Sequence, residues 1–210
     1  MGKANRRLGV LISGRGSNLQ SIIDAIAAQR LDATIAIVIS NQAHAGGLER
    51  ARRAGIETLT LSHRGWASRD DYDRALVNEL RKRDVALVCL AGFMRKFGAS
   101  MIEAFPNAIL NIHPSLLPSF PGLHPQQQAL DHGVKASGVT VHFVTADLDA
   151  GPIIVQRTVP VLDGDTEETL AARILIEEHQ AYPEAISLVL DGRWRIEGRR
   201  VVRSTTAAAV

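Results

Sequence analysis

Four short runs of apolar, largely β-branched residues, at 8–12, 34–39, 85–90 and 108–112, are separated by stretches of helical spacing at 17–28, 48–54 and 69–83. Short, continuously apolar runs are the mark of strands buried on both faces, because crossover helices cover both sides of a parallel sheet. The first half of the chain therefore reads βαβαβαβ. That rhythm predicts an α/β fold: a Rossmann-like, mostly parallel twisted sheet with helices on both faces. The helix expected at 69–83 follows Ser68 and opens on Asp70 and Asp71, which suit the positive end of its dipole.

The texture changes after His113. Pro114, Pro118, Pro121 and Pro125, with Gly122, resist both helix and central strand and predict a stiffened loop. Residues 138–144 then alternate apolar and polar, and 153–161 form a second extended run, so the C-terminal half is expected to carry an antiparallel edge. A helix is expected over 166–181, with Asp165 as N-cap, Glu167 and Glu168 in its first turn, and a stop before Pro183. Residues 194–202 read as a small terminal hairpin.

The 210 residues suit a single domain spanning 1–210. A composition of 46% hydrophobic and 22% charged residues supports a buried core, and a net charge of +2 offers no field for a polyanion, so nucleic acid is excluded as a partner. Cys89, the one cysteine, lies in an apolar run; it reads as a small core hydrophobe in a reducing cytoplasm. Residues 1–7 show neither a signal peptide nor a membrane span, so no membrane association is expected.

The first strand runs straight into Ser13-Gly14-Arg15-Gly16-Ser17-Asn18-Leu19. Leu19 stands where a dinucleotide fingerprint needs its third glycine, Ser40-Asn41 where it needs an acid, and no Gly-Lys-Ser/Thr ending is present. Two readings stand: a tight strand-to-helix connection, or backbone amides placed to hold the lone phosphate of a small substrate.

His113 sits at the carboxyl end of an expected buried strand, where open α/β sheets place ligands, with Asn111 two residues earlier on the same face. Acyl transfer to an amine needs hydrogen-bond donors for a tetrahedral oxyanion and a group that moves protons near neutrality; protonated His113 and the Asn111 amide suit both needs. Asp149 is either a turn aspartate before Gly151-Pro152 or the carboxylate that favours the imidazolium. His113, His124 and His142 lack the paired spacing of a zinc site, so no metal is expected.

Four ordered motifs carry a resemblance: Ser13-Gly14-Arg15-Gly16-Ser17-Asn18-Leu19-Gln20, Leu90-Ala91-Gly92-Phe93-Met94-Arg95, Leu110-Asn111-Ile112-His113-Pro114-Ser115-Leu116-Leu117-Pro118 and Val141-His142-Phe143-Val144. Together they resemble the folate-dependent formyltransferase family, and Pro121-Gly122-Leu123-His124 its phosphoribosylglycinamide formyltransferase branch. The resemblance implies the formyltransferase fold. It also implies transfer of a formyl group from the co-substrate 10-formyltetrahydrofolate to the amine of glycinamide ribonucleotide, in purine biosynthesis. By the same likeness, Gly16, Ser17 and Asn18 would bind the acceptor's phosphate and Glu178 its ribose hydroxyls. The folate would lie along Met94, Arg95, Lys96 and Phe97, with Arg69 towards its glutamate tail. Thr145, Ala146, Asp147, Leu148 and Asp149 would surround the pteridine. Asn111 and His113 would face the formyl group, with Asp149 tuning the histidine.

On this reading 1–100 is the phosphate-binding half, 101–190 the catalytic and folate-binding half, and 191–210 a tail. Arg15 and Leu175 depart from residues found in some relatives, and neither is a catalytic position. The likeness leaves open a monomer or a homodimer. The rivals are hydrolysis of formyltetrahydrofolate, formylation of another amine, and a non-catalytic phosphate or nucleotide sensor. The hydrolase is disfavoured by the lack of an N-terminal regulatory domain. Formylation of charged transfer RNA is disfavoured by the few residues after Pro183.

Overall fold

The computed structural model describes residues 5–204. The N-terminal reading rests partly on residues 1–4, and the end of the expected tail is 205–210; both lie outside the described residues. Contacts within the chain gather into two units, Met1–Leu110 and Asn111–Val210.

The first unit contains β1 (Arg7–Ile12), α1 (Ser17–Ala27), β2 (Thr34–Ser40), α2 (Gly46–Arg53), β3 (Thr58–Thr60), α3 (Arg69–Arg81), β4 (Leu87–Leu90) and α4 (Ala99–Ala104). The strands lie in the order β3-β2-β1-β4, all parallel, with Leu8 of β1 beside Ile35 and Leu87. Every residue of β1 from Leu8 to Ile12 is buried, as an apolar run covered on both faces must be. Gly9 shows how closely one helix packs: a Cβ there would collide with Leu80 of α3.

Three local features depart from expectation. The three-residue β3 is too short to announce itself by period. The helix expected at 69–83 ends at Arg81, and Asp84 has a left-handed φ of 52°. The unexpected α4 owes its start to residues far away in sequence. Gly98 N–H donates to Asp73 Oδ2 (2.5 Å) and Ser100 N–H to Asp70 Oδ1 (3.3 Å), so α3 supplies the acceptors that α4's first turn lacks.

The second unit takes in most of β5 (Ile109–His113), then α5 (Pro125–Asp131), β6 (Ala136–Phe143), β7 (Ile153–Pro160), α6 (Glu167–Leu190), β8 (Trp194–Glu197) and β9 (Arg200–Arg203). Its strands run β5-β6-β7-β9-β8. β6 and β7 pair antiparallel from Ala136 opposite Pro160 to His142 opposite Ile153, with an irregularity between Val141 and His142. β8 and β9 form the terminal hairpin. The fold is thus α/β, mostly parallel, with antiparallel strands in its C-terminal half.

Two expectations need correction here. The proline-rich stretch is not all loop, because Pro125 occupies the first turn of α5, where a missing N–H costs nothing. The last helix is neither capped by Asp165 nor stopped before Pro183. Its N-cap is Thr166, in a reciprocal capping box with Thr169, while Asp165 is drawn into a bidentate pair with Arg173 (2.7 and 2.8 Å). The helix continues for 24 residues through Pro183. An interior proline costs about 3 kcal/mol, but Ala181, Tyr182, Ala185 and Ile186 around it are fully buried, in a helix that packs on β6 and β7. Burying four such side chains outweighs one lost hydrogen bond. No helix among the described residues is long and apolar enough to cross a membrane.

Candidate active site

The end of β5 places Asn111 and His113 two residues apart on one side of the strand. His113 is 5% exposed. Its Nε2 lies 2.9 Å from the Phe120 carbonyl, which can only accept, so Nε2 carries a proton. Its Nδ1 faces Asp149 Oδ2 at 3.6 Å. Asp149 reaches this position from a loop that turns back on itself. Its own backbone is left-handed (φ 49°), and Phe143 N–H donates to the Pro152 carbonyl at 2.9 Å. Gly151 lies so close to the Phe143 carbonyl that any Cβ would collide with it. Asp149 Oδ2 also accepts from Gly122 N–H (2.9 Å), which ties the segment after Pro121 to the same carboxylate.

His142, on β6, completes the cluster. Its Nδ1 donates to the Phe143 carbonyl (2.9 Å), and burial, the largest influence, holds its pKa below the ordinary 6.5. The neutral ring therefore presents Nε2 as an acceptor, and Asn111 Nδ2 donates to it at 3.3 Å. That contact fixes which way round the Asn111 amide lies. Asp149 Oδ1 is 3.8 Å from the same Nε2. Two imidazoles, an amide and a carboxylate thus converge in the second unit, with donors available to a developing oxyanion.

In the first unit, Gly16 is the N-cap of α1 with φ 73°, and a Cβ there would sit 2.6 Å from Gly47 Cα, so only glycine fits. Gly47 N–H also donates to the Gly14 carbonyl (3.1 Å), which fixes the loop against the start of α2. No side-chain hydrogen bond caps α1 and its first turn holds no acid, so the positive end of its dipole at Gly16, Ser17 and Asn18 suits an anion. Elsewhere in this unit Met94 is 72% exposed and Lys96 is exposed, while Phe97 turns inward to stack on Phe93 (5.6 Å). The Arg95 guanidinium lies 6.0 Å from the centre of the Tyr72 ring, and Arg69 begins α3.

Residues 6–186 match the family model described as formyl transferase. The chain belongs to that family. Among solved structures, this formyl transferase superposes on glycinamide ribonucleotide transformylase 1 from Symbiobacterium toebii with a TM-score of 0.94 at 57% identity, over 95% of this chain and 94% of that one. It is 49% identical over 187 residues to the phosphoribosylglycinamide formyltransferase of Escherichia coli, covering 89% of this chain and 88% of that protein. It is also 49% identical to part of the trifunctional purine biosynthetic protein adenosine-3 of Drosophila pseudoobscura pseudoobscura, over 93% of this chain but only 14% of that protein.

Of the residues expected at the site, some are placed locally and some over long range. Strand period puts Asn111 and His113 on one side of β5, and in the first unit a turn presents Gly16, Ser17 and Asn18 at the start of α1; both operate over a few residues. Asp149 arrives by a loop closure that no spacing announces. Thr145, Ala146, Asp147 and Leu148 form the rest of that loop, Thr145 Oγ donating to the Asp147 carbonyl at 3.4 Å. Glu178 is a buried residue of α6. His142 was not among the expected site residues. Its sequence signals were its place in the Val141-His142-Phe143-Val144 motif and in an expected strand; the structure buries all seven residues of that strand after Ala136, where a histidine must find partners. Among the described residues no group of three or more His, Cys, Asp or Glu could hold a metal ion.

Proposed function

We propose that this chain transfers the formyl group of 10-formyltetrahydrofolate to the amine of 5-phosphoribosylglycinamide, giving the N-formyl product and tetrahydrofolate in de novo purine synthesis in the cytoplasm. The observation that carries the reading is the convergence of Asn111, His113, His142 and Asp149 in a chain of the formyl transferase family. The names of the Escherichia coli and Symbiobacterium toebii relatives support the acceptor.

The amine nitrogen attacks the formyl carbon, forming the new C–N bond and pushing the carbonyl electrons onto oxygen. Asn111 Nδ2 has one proton committed to His142 and a second free for that oxyanion. His113 supplies the other donor. Its Nε2 proton, held by the neutral Phe120 carbonyl in the free enzyme, moves to the stronger, charged acceptor. Asp149, facing Nδ1, stabilises the imidazolium. Collapse breaks the bond to N10 of the folate; the attacking nitrogen loses a proton and N10 gains one, a transfer suited to His113. Gly16, Ser17 and Asn18 receive the acceptor's phosphate and Glu178 its ribose hydroxyls. Met94, Arg95, Lys96 and Phe97 receive the donor, with Arg69 towards its glutamate tail and residues 145–149 around its pteridine.

The test is to supply the purified protein with both substrates, identify the formylated product, and repeat with His113→Ala. The variant is expected to lose about 10²- to 10⁴-fold in kcat with a much smaller change in KM. Equal kcat in variant and wild type would remove His113 from the reaction.

A further inference from the structure

A set of side chains outside this chemistry joins the ends of three strands in the first unit. Ser13, just after β1, donates its hydroxyl proton to Asn41 Oδ1 (2.7 Å) and accepts from Met94 N–H (2.9 Å). Its own N–H donates to the Gly92 carbonyl at 3.0 Å. Asn41, just after β2, is 5% exposed, and its Nδ2 lies 3.3 Å from His63 Nδ1. A serine hydroxyl has one proton. With that proton given to Asn41, the oxygen lone pairs are left to the Met94 amide and the hydroxyl loses its freedom to rotate. If the Asn41 amide turned over, it would present N–H to Ser13 and displace that proton; a His63 Nδ1 acting as acceptor opposes the turn.

The other end of the same segment is held as firmly. Gly98 N–H donates to Asp73 and Ser100 N–H to Asp70. Between these anchors Met94 and Lys96 face outward while Phe93 and Phe97 turn in. The shape of the exposed stretch is therefore set by its fixed ends. The neighbouring phosphate loop does not depend on the Ser13 hydroxyl, because Gly14 and Gly16 are each secured on Gly47.

We propose that Ser13 and Asn41 are positioning residues for the folate donor: Asn41 orients the Ser13 hydroxyl, and that hydroxyl sets the main chain at Met94, where the donor-binding segment begins. The proposal rests on the functional reading above, which places the donor along Met94 to Phe97.

Ser13→Ala, Asn41→Leu, the double variant and Ser13→Thr test it through steady-state constants for both substrates and thermal midpoints. Each of the first two is expected to raise the donor KM about fivefold or more while the acceptor KM and kcat stay within about twofold. The double variant should be no worse than the single ones, because both act through one hydroxyl. Ser13→Thr, which keeps the hydroxyl, should restore the donor KM. If Asn41→Leu does not fold, the Ala and Thr pair at Ser13 carries the test. A donor KM within about twofold of wild type in Ser13→Ala would overturn the proposal. So would a joint rise of both KM values with a fall in thermal midpoint, which marks general loosening. A wild-type protein that forms no formylated product would overturn the functional reading and this proposal with it; unaltered variants of an active enzyme would overturn this proposal alone.

Discussion

His142 fixes which way round the Asn111 amide lies. With its Nδ1 proton committed to Phe143, the neutral ring holds the asparagine by Nε2 alone, and removing that acceptor frees the amide to turn. His142→Leu is therefore expected to lower kcat about tenfold or more with smaller effects on either KM, a split that steady-state kinetics reads directly. The same residue has a consequence for stability. Burial holds its folded pKa below 6.5, so the unfolded chain takes up a proton before the folded one does. Its contribution is present above about pH 6.5 and is lost as the pH falls below that value. The fall in thermal midpoint between about pH 7 and 5 should be shallower in His142→Leu than in wild type; equal slopes would place the titration elsewhere. Asp149→Asn should lower kcat by about 10²-fold, because it removes the carboxylate that faces His113 Nδ1 at 3.6 Å. An unchanged kcat would detach Asp149 from His113. At this scale the sequence told strand neighbours from strangers. Asn111 and His113 share a face by period alone, whereas the partnership of His113 with Asp149 depends on the left-handed backbone at 149 and the bare Cα of Gly151.

Elements were legible wherever the determinants were local. Strands β1, β2 and β4 declare themselves by unbroken apolar runs, and α3 by Ser68, whose hydroxyl accepts from Asp71 N–H at 3.1 Å. α4 was invisible because its first turn is capped from α3, and α6 ran past Pro183 because tertiary burial overrode a local stop signal. The same reasoning identifies where elements can be broken. A Cβ at Gly138 on β6 would collide with the Arg157 carbonyl of β7 and press on Leu116, so Gly138→Ala should cost about 3 kcal/mol or more, measured by denaturant unfolding. A cost below about 1 kcal/mol would mean that the β6–β7 pair yields easily. Asp73 points the other way. Burial, the largest influence, raises its carboxyl above the ordinary 3.8, so the folded chain binds that proton more tightly and is penalised as the pH rises through the folded value. Asp73→Asn keeps an acceptor for Gly98 N–H and removes the buried charge. It should raise the thermal midpoint at neutral pH, with the gain vanishing below about pH 4. A lower midpoint at neutral pH would show that the carboxylate stabilises α4.

For the molecule as a whole, an alternating βα rhythm and four short motifs were enough to reach the family, because they mark a strand end, a glycine-rich turn and the connections between them. Composition contributed only exclusions. A glycine-rich turn and a strand-end histidine suit many small-molecule enzymes, and what separates transfer from hydrolysis is whether an amine, rather than water, meets the formyl carbon. The reading above therefore stands on one stoichiometry: tetrahydrofolate released against N-formyl glycinamide ribonucleotide formed, measured with and without the amine acceptor. The expected result is one product per tetrahydrofolate when the acceptor is present, and negligible release in its absence. Tetrahydrofolate released at the same rate without glycinamide ribonucleotide, with formate as the other product, would contradict it.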